Sequence, residues 1–489
     1  MMSVAQRLRQ KLLDLAIRGK LVPQCAKDEP ASELLARIRK TRCVGGRART
    51  PVVPLPITED ETPFDLPKGW VWCRLGEICD VFAGYPFDGK KYSKSGVRIC
   101  GGLIIMPDRI KWDECKYWAD SEGLEDYLLN VGDVVIALDR PWISSGTKIG
   151  IIQECDLPSL LIQRTACLRS SVLDSRYLVA LLGGNLFQQF CDPTGTTVPH
   201  ISHKDIESFP IPLPPHAEQK RIVEKLSKML DVVATVADKE TRLSHLRQKA
   251  RAKILDLAIR GKLVKQKKGD ESADKLLKRI AAEKAKLIAA KKIKKAKPLP
   301  PITDDEKPFD LPRGWAWVRW GDLSESIQYG FNAPAKRCGR IKMVRITDIQ
   351  NGRIAWQNVP YCDIAEADVQ TYLLRKGDIL FARTGGTVGK SYLVEDVPEK
   401  AVYAGYLIRT RCSFLLSSEY FKLFMESELY WAQLKEGTIA TAQPNCNGRT
   451  LARMVVPLPP LVEQKRIVVK VKEMLAACDG MTCQTNLSI

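Results

Sequence analysis

Residues that usually carry catalysis or hold metals are scarce in this sequence. Only four of its 489 residues are histidine, and His200 and His203 have no further ligands at zinc spacing. The 15 cysteines form no Cys-x-x-Cys pair, so reduced thiols are expected rather than a disulfide framework. No apolar run approaches the roughly 18 to 20 residues of a membrane span or a signal anchor. These absences favour a cytoplasmic protein that binds no membrane and no metal.

Motifs for nucleotides and cofactors are missing as well. The segment GGTVGKS (385–391) resembles a phosphate loop, but Thr384 stands where the Walker spacing requires glycine. There is no GxGxxG loop and no Asn-Pro-Pro-aromatic or Asp-Pro-Pro-aromatic box of amino-methyltransferases. Asp108 and the Glu-Cys-Lys at 114–116 imitate a nuclease cluster, yet they stand in a crowded acidic stretch that is better explained as surface. The chain is therefore expected to have no catalytic site and to bind no cofactor.

The sequence that is present is globular and basic. It is 45% hydrophobic and 27% charged, which excludes disordered, collagenous and fibrous proteins. Its 76 Lys and Arg exceed its 57 Asp and Glu, and the formal net charge is +19. Such an excess favours a polyanionic partner, nucleic acid above all. At about 150 residues per domain, the length predicts roughly three domains.

The chain contains an internal repeat in three blocks. The blocks are KLLDLAIRGKLV (11–22) and KILDLAIRGKLV (253–264), PFDLPKGW (63–70) and PFDLPRGW (308–315), and PLPPHAEQKRIV (212–223) and PLPPLVEQKRIV (457–468). The two copies are 242 residues apart in the first block and 245 in the other two. Between the blocks the similarity is faint. Gly132-Asp133-Val134 matches Gly377-Asp378-Ile379, and Val97-Arg98-Ile99 matches Val344-Arg345-Ile346. The repeat predicts two modules that share these blocks and differ in the sequence between them.

A long helix is predicted between the modules. From Glu218 to about Arg260 apolar residues recur at alternating steps of three and four, a heptad pattern that gives a rod of roughly 65 Å. By the repeat, residues 461–489 correspond to 216–244 and residues 1–20 to 243–262. The two chain ends together therefore complete one copy of the central helix. An antiparallel rod with a pseudo-twofold axis is expected; the alternative is that the terminal helices pack only on their own modules.

The expected fold class is α+β, with two globular α/β modules on this helical rod. The predicted segments are an N-terminal helix (1–22), a linker (23–62), a first module (63–212), the central long helix (213–264), a basic linker (265–307), a second module (308–457) and a C-terminal helix (458–489). From Lys265 to Lys297 the basic linker holds 13 basic and 4 acidic residues. A helix is expected here, whose basic face is either solvated or in contact with phosphates.

Candidate contacts to nucleic acid are cations and amides at matching places in the modules. Two basic runs end at the aligned Val-Arg-Ile, which favours phosphate contact over mere surface solvation. The glycine-rich loop of the second module and its counterpart in the first are either phosphate contacts or a tight hairpin. Polar residues before the last block reach base edges or form an ordinary loop. The candidates are Lys90, Lys91, Lys94 and Arg98; Lys336, Arg337, Arg340, Lys342 and Arg345; Arg140 and Lys148; Arg383, Thr387 and Lys390; and Asn445, Asn447 and Arg449.

The repeated frame resembles the specificity subunit of type I restriction-modification systems over essentially the whole chain. The duplicated LAIRGKLV, PFDLPxGW and PLPPxxEQKRIV blocks carry the resemblance, together with GDVVIAL (132–138) and GDILFAR (377–383). The resemblance implies two target-recognition domains on two long antiparallel helices, each domain reading one half of a split sequence in double-stranded DNA. One departure is the loop GDVVIALDRPW, which lacks the glycines of GGTVGK.

The resemblance also implies partners that hold the chemistry. Two modification subunits would carry S-adenosylmethionine and methylate adenine, and two motor-nuclease restriction subunits would use ATP and Mg²⁺ to cleave unmethylated DNA, as in phage defence. This agrees with the missing catalytic motifs. A stand-alone architectural or regulatory DNA-binding protein is the main alternative, and a fused restriction-methylation enzyme is a third. The bases that are read do not follow from the residues.

Overall fold

A single helix, α7 (His216–Ile259), runs through the middle of the chain for 44 residues. The computed structural model describes residues 3–42, 56–191, 200–350, 352–437 and 446–480, and the chain divides into two compact units, Met1–Arg242 and Leu243–Ile489. At 1.5 Å per residue the helix is about 66 Å long. The long helix expected from the heptad pattern is confirmed.

The first unit is an α+β assembly around two small sheets. Its helices are α1 (Val4–Ile17), α2 (Ala31–Arg42), α3 (Leu75–Ile78), α4 (Ser175–Gly183), α5 (Asn185–Cys191) and α6 (His203–Ser208). Its strands are β1 (Val71–Arg74), β2 (Asp80–Ala83), β3 (Val97–Cys100), β4 (Ile105–Met106), β5 (Arg109–Ile110), β6 (Lys116–Trp118), β7 (Val134–Ala137), β8 (Trp142–Ile143), β9 (Gly146–Thr147), β10 (Ile149–Ile151), β11 (Ser159–Leu161), β12 (Thr165–Arg169) and β13 (Pro210–Leu213). An antiparallel sheet has the order β10-β7-β12-β2, and a second sheet has the order β11-β3-β6.

The second unit has the same plan. Its helices are α8 (Ala273–Ala289), α9 (Trp320–Leu323), α10 (Glu366–Tyr372), α11 (Ser418–Phe424), α12 (Glu428–Gly437), α13 (Gly448–Arg453) and α14 (Leu461–Gly480). Its strands are β14 (Ala316–Arg319), β15 (Ser324–Tyr329), β16 (Ile341–Val344), β17 (Ile349–Gln350), β18 (Arg353–Ile354), β19 (Tyr361–Cys362), β20 (Ile379–Ala382), β21 (Ser391–Leu393), β22 (Ala401–Tyr403), β23 (Leu407–Cys412) and β24 (Val455–Leu458). The sheets β15-β23-β20-β21 and β19-β16-β22 repeat those of the first unit. The duplication predicted from three blocks therefore extends through the modules.

Each terminal helix packs on the half of α7 that lies in its own unit. Leu12 and Leu13 of α1 share a core with Ile222 of α7. The backbone amides of Val4 and Ala5 donate to the Glu240 carboxylate over 3.0 and 3.3 Å, so that an acidic side chain caps the N-terminus of α1. In the second unit, residues of α14 share a core with the last turns of α7. The terminal helices also pack on helices of their modules, α1 on α4 and α14 on α11.

The helix expected in the basic linker is present as α8. Leu276 and Ile280 on one face are buried, while most of its lysines remain exposed. Its first residue, Ala273, donates its amide to the Gly314 carbonyl over 2.8 Å. The counterpart in the first unit is α2, which begins at Ala31 with the same bond to Gly69, also over 2.8 Å. Both linkers thus begin with a helix that is fixed to the second repeated block.

The three repeated blocks meet at one place in each unit, which we call the joint. In the first joint, the Trp70 indole and the Gln24 amide donate to the Glu218 carboxylate over 3.0 and 3.2 Å. Arg221 pairs with Asp28 over 2.5 Å. Burial raises the pKa of Glu218 above its ordinary value even though these two donors act in the opposite direction.

The second joint repeats the contacts of the glutamine and the arginine. Gln266 donates to Glu463 over 3.1 Å, and Arg466 pairs with Asp270 over 2.5 Å. Burial also raises the pKa of Glu463, against the hydrogen bond from Gln266. The repeated blocks are therefore explained by mutual packing, and they need no role in binding to account for their similarity.

Gly19, which ends α1 in the first joint, has φ +62°. A Cβ at this position would lie 2.5 Å from Cγ of Pro67 and 2.9 Å from Cζ2 of Trp70. Gly19→Ala should therefore lose about 1–2 kcal/mol for the left-handed backbone and about 1–3 kcal/mol more for crowding. Gly123→Ala is the matched control, because Gly123 has φ +73° and open space around it. Thermal unfolding of both variants measures the difference, and equal losses would contradict the close packing of the joint.

Candidate nucleic-acid interface

Loops from both sheets of the first module meet at one edge, which we call the first loop edge. The amide of Leu138, after β7, donates to the Arg164 carbonyl over 2.9 Å, and the amide of Ile201 donates to Leu138 over 3.0 Å. Gln163 donates to Tyr85 over 2.9 Å. Segments that are distant in sequence are thus fixed side by side by backbone hydrogen bonds.

The second module has the same edge, the second loop edge. The amide of Arg383, after β20, donates to the Tyr406 carbonyl over 3.2 Å, and the amide of Cys446 donates to Arg383 over 3.0 Å. These bonds match those of Leu138, Arg164 and Ile201, so Arg383 takes the place of Leu138 and Tyr406 that of Arg164. One backbone frame therefore presents different side chains in the two modules.

A carboxylate organises the side chains of the first loop edge. Asp139 accepts a hydrogen bond from Nη1 of Arg164 over 3.1 Å, and its Oδ1 lies 2.6 Å from Nδ1 of His200. The Arg164 side chain is 74% exposed. An exposed guanidinium that is held by a carboxylate keeps free donors in a fixed direction, which suits the bidentate recognition of a base or a phosphate.

Lys148 and Arg140 add positive charge at the same edge. Lys148 is 8% exposed and its ammonium has no hydrogen-bond or ion-pair partner among the described residues. Burial lowers the pKa of Lys148, and the nearby Arg140 lowers it further against Asp139. Arg140 is exposed and likewise has no such partner in the described part of the chain. Two cations with a single nearby acid leave a positive site that suits an anion.

The second loop edge contains aromatic side chains beside its arginine. The guanidinium of Arg383 lies over the Tyr329 ring, 4.8 Å from its centroid, and the Tyr329 hydroxyl accepts the Gly448 amide over 2.9 Å. Nε of Arg383 is buried without a hydrogen-bond partner in the described chain. Tyr406 is 64% exposed. A stacked arginine beside an exposed tyrosine can contact base edges and base faces.

The glycine-rich segment of the second module is a hairpin connection. A tight hairpin was one of the two alternatives that the sequence left open; the other was a phosphate contact. It joins the antiparallel strands β20 and β21, and Thr387 lies in a short 3₁₀ turn within it. Lys390, at its end, is exposed and donates no side-chain hydrogen bond to the described residues. Ala382 donates its amide to the Lys390 carbonyl as Ala137 does to that of Lys148, so the two lysines are structurally equivalent. The hairpin still leaves a cation at the same place in both edges.

The register of the sheets corrects the predicted match of Arg98 with Arg345. Cys100 of β3 pairs with Leu161, and Val344 of β16 pairs with Tyr403. Because Leu161 and Tyr403 occupy equivalent places, Cys100 corresponds to Val344 and Arg98 to Lys342. The sequence alignment was wrong by three residues at this point, since short apolar strands resemble one another in several registers.

The structure gives Arg98 and Lys342 internal partners. Arg98 donates to the carbonyls of Cys155 and Leu157 over 2.8 and 3.1 Å and lies over the Trp112 ring. Lys342 is buried, donates to the Trp356 carbonyl over 2.8 Å and pairs with Glu399 over 3.0 Å. Both cations thus bind backbone carbonyls inside their modules, so we leave them out of the interface proposed below.

The remaining cations of the two runs differ in their surroundings. Lys90, Lys91 and Lys94 are exposed. In the second run, three cations have acidic partners. Lys336 pairs with Asp363, Arg340 lies 3.6 Å from Glu366, and Arg345 pairs with Asp348 over 2.8 Å. Arg337 is exposed. Arg345 lies just after β16 and not within the strand.

Asn447 and Arg449, two polar candidates near the end of the second module, lie next to the second loop edge. The Asn447 side chain accepts the Thr450 amide over 2.9 Å and caps α13, as asparagine commonly does. Arg449 is exposed. Asn445 lies outside the described residues. Asn447 therefore has a sufficient structural role, while Arg449 has a free surface position.

Sequence reasoning missed four residues of the loop edges. Arg164 and Tyr406 stand singly between strands and Tyr329 ends β15, and no charge run marks any of the three. Leu103 is 87% exposed, next to Gly102, whose Cβ position would lie 3.8 Å from the Lys148 ammonium. Arg164 and Tyr406 could have been recognised from the sequence. The short segments Gln163-Arg164 and Gly405-Tyr406 interrupt apolar runs at equivalent places in the two copies.

Within the described ranges, no helix has the length and apolarity to span a membrane. No group of three or more His, Cys, Asp or Glu residues in that part of the chain is arranged to hold a metal ion.

Comparison with known proteins places this fold in a family. The family model of the type I restriction modification DNA specificity domain matches twice, at residues 67–244 and 312–487. Two relatives from Escherichia coli, the EcoEI and EcoAI type I restriction enzyme specificity subunits, are each 30% identical over 97% of this chain and 90% of their own. A chain from a structural study of type I R-M system assembly and conformational transition has a TM-score of 0.56 at 19% identity, covering 86% of this chain and 94% of that one, and shows the same fold. This chain, with two copies of the domain, therefore belongs to the family of type I restriction-modification specificity subunits.

Proposed function

We propose that the chain reads a split target in double-stranded DNA, with each loop edge contacting one half-site. The observation that carries the proposal is the pair of equivalent lysines, Lys148 and Lys390, each set in the same backbone frame beside unlike neighbours. A shared cation suits the phosphates that every duplex offers, and unlike neighbours suit different bases. A specificity subunit of this kind supplies recognition and no catalysis, and the alternative of a stand-alone regulatory DNA-binding protein has no support from the family.

The partners follow from the family and from the duplication. Specificity subunits act with other restriction-modification subunits and DNA, and the two joints offer two equivalent positions on this chain. We expect two modification subunits that hold S-adenosylmethionine and two restriction subunits that use ATP and Mg²⁺. We also expect α1, α7 and α14 to form the antiparallel rod that separates the half-sites, in a cytoplasmic complex. The terminal helices pack on their own halves of α7 in the manner this rod requires.

Exchanging residues 308–457 for the corresponding module of a relative should change one half of the recognised sequence. Strand β14, which opens the second module, pairs with β24, which closes it, so the exchange cuts at a joint and leaves the first loop edge intact. The measurement is the map of methylated adenines in cells that carry the exchanged chain with its partner subunits. Exchange of residues 63–212 is the matched control and should change the other half alone. A change in both halves after one exchange would refute separate reading.

A further inference from the structure

Two arginines of the first loop edge have a backbone conformation that side chains rarely adopt. Arg140 has φ +47° and Arg164 has φ +63°. A left-handed backbone brings Cβ close to the following carbonyl oxygen and costs energy for every residue except glycine. Strain of this kind persists where the surroundings enforce it, and it occurs often at functional sites.

The second module shows that the frame itself does not need an arginine here. Because Leu138 corresponds to Arg383, Arg140 corresponds to Gly385, which has φ +75°. Both modules thus require a left-handed residue two positions after the same backbone hydrogen bond. The second module uses glycine, the residue that suits this conformation best, while the first uses an arginine.

Neither arginine stabilises the fold enough to explain this choice. Arg140 is exposed and has no hydrogen-bond or ion-pair partner among the described residues. Among the described residues Arg164 pairs with Asp139 alone, and the Asp139 side chain is itself 42% exposed. Exposed pairs of this kind contribute little to stability. The side chains must therefore be kept for something outside the fold.

The surroundings indicate an anion. Lys148 donates its backbone amide to the Pro141 carbonyl over 2.7 Å, which places the lysine beside the residue that follows Arg140. Its side chain is largely buried, and its ammonium has no hydrogen-bond or ion-pair partner in the described chain. Arg140, Lys148 and Arg164 thus lie close together around Asp139.

We infer that Arg140 and Lys148 together bind a backbone phosphate of the first half-site, and that Arg164, oriented by Asp139, reads a guanine edge there. The inference rests on the proposed function. Arg140 has an exposed side chain that is unpaired among the described residues and lies beside a second cation, which fits a phosphate oxygen. Arg164 has a fixed guanidinium with free donors, which fits the two acceptors that guanine offers in the major groove.

Replacing either arginine with glycine should weaken DNA binding without lowering the melting temperature of the protein. In the complex with the modification subunits, Arg140→Gly should leave the melting temperature unchanged or raise it. The same variant should weaken binding to the target duplex and to a random duplex alike, and lower the salt slope by about one unit. Arg164→Gly should also keep the melting temperature, while its affinity for the target should fall by about 5- to 150-fold with little change on random duplex. The target is first identified from methylated adenines in cells that carry the system.

Asp108→Gly is the matched control, because Asp108 also has a positive φ of +63° but pairs with Arg9 of α1. This variant should leave DNA binding unchanged. If either arginine variant melts at a lower temperature, that residue serves the fold and its assigned role is wrong. If the wild-type complex binds the target and the variants bind it equally well, the inference fails while the proposed function stands. If the wild-type complex shows no preference for the target over random duplex, the proposed function itself fails.

Discussion

Asp378→Ala should unfold the second module or leave it largely unstable. The Asp378 side chain is 1% exposed and accepts hydrogen bonds from Nε and Nη2 of Arg411, each over 2.7 Å. It also accepts the Arg375 amide over 2.9 Å, which closes the turn before β20. Alanine would leave the Arg375 amide without its acceptor and the largely buried Arg411 guanidinium with only the Leu373 carbonyl. Breaking a buried pair in this way costs about 3–5 kcal/mol.

Chemical unfolding of the purified complex, followed by binding to duplexes that keep only one half-site, measures this effect. The second half-site should no longer contribute to affinity, while the first should still do so. Asp304→Ala is the control, because the Asp304 side chain is 98% exposed and its ion pair is with Lys307. Loss of such an exposed pair should change stability little. A loss no larger for Asp378→Ala than for this control would show that the Gly-Asp motif is not structural.

Arg383→Ala should lose affinity for the second half-site and little affinity for random DNA. The Tyr329 ring fixes the guanidinium, so its donors are oriented before DNA arrives. A bidentate contact from arginine to guanine contributes about 1–3 kcal/mol of discrimination. Titrations on the target, on targets altered in one half and on random duplex measure the change.

Arg383→Lys is the informative companion variant, because lysine keeps the charge and loses the planar pair of donors. If Arg383 reads a guanine, both variants should lose discrimination in the second half-site only. If both lower affinity equally on every duplex, Arg383 is a phosphate contact. The base readers of this module would then have to be sought near Arg449.

The domain organisation could be predicted from the sequence because the three blocks are repeated in the second half of the chain. Near-identical blocks revealed the long helix, the two modules and the segments that form each joint. The joint itself needed the structure, since nothing in the sequence pairs Trp70 with Glu218 rather than with another residue. The Gly-Asp matches were in the correct register because each glycine and aspartate closes an equivalent turn, whereas the short apolar strand before Arg345 offered no such marker.

The loop edges could be predicted only in part. Arg140, Lys148, Arg383 and Lys390 were found because they follow a recognisable strand. The charge runs were less informative, because ion pairing depends on distance in space. The acids that approach Lys336 and Lys342, for example, come from segments more than 20 residues away in the chain. Single residues such as Arg164 gain their position from backbone bonds to other segments, which no local pattern records.

The joint also explains why the two copies have diverged so unevenly. The Glu218 carboxylate contacts both Trp70 and Gln24, so a substitution there leaves two donors without their acceptor. The loop edges are held by backbone hydrogen bonds. A side chain there can therefore change without leaving a hydrogen-bond partner unsatisfied. New target sequences can therefore arise by mutation or recombination in the loops while the joints stay unchanged. Sequence specificity can then evolve without altering the contacts that hold each unit together.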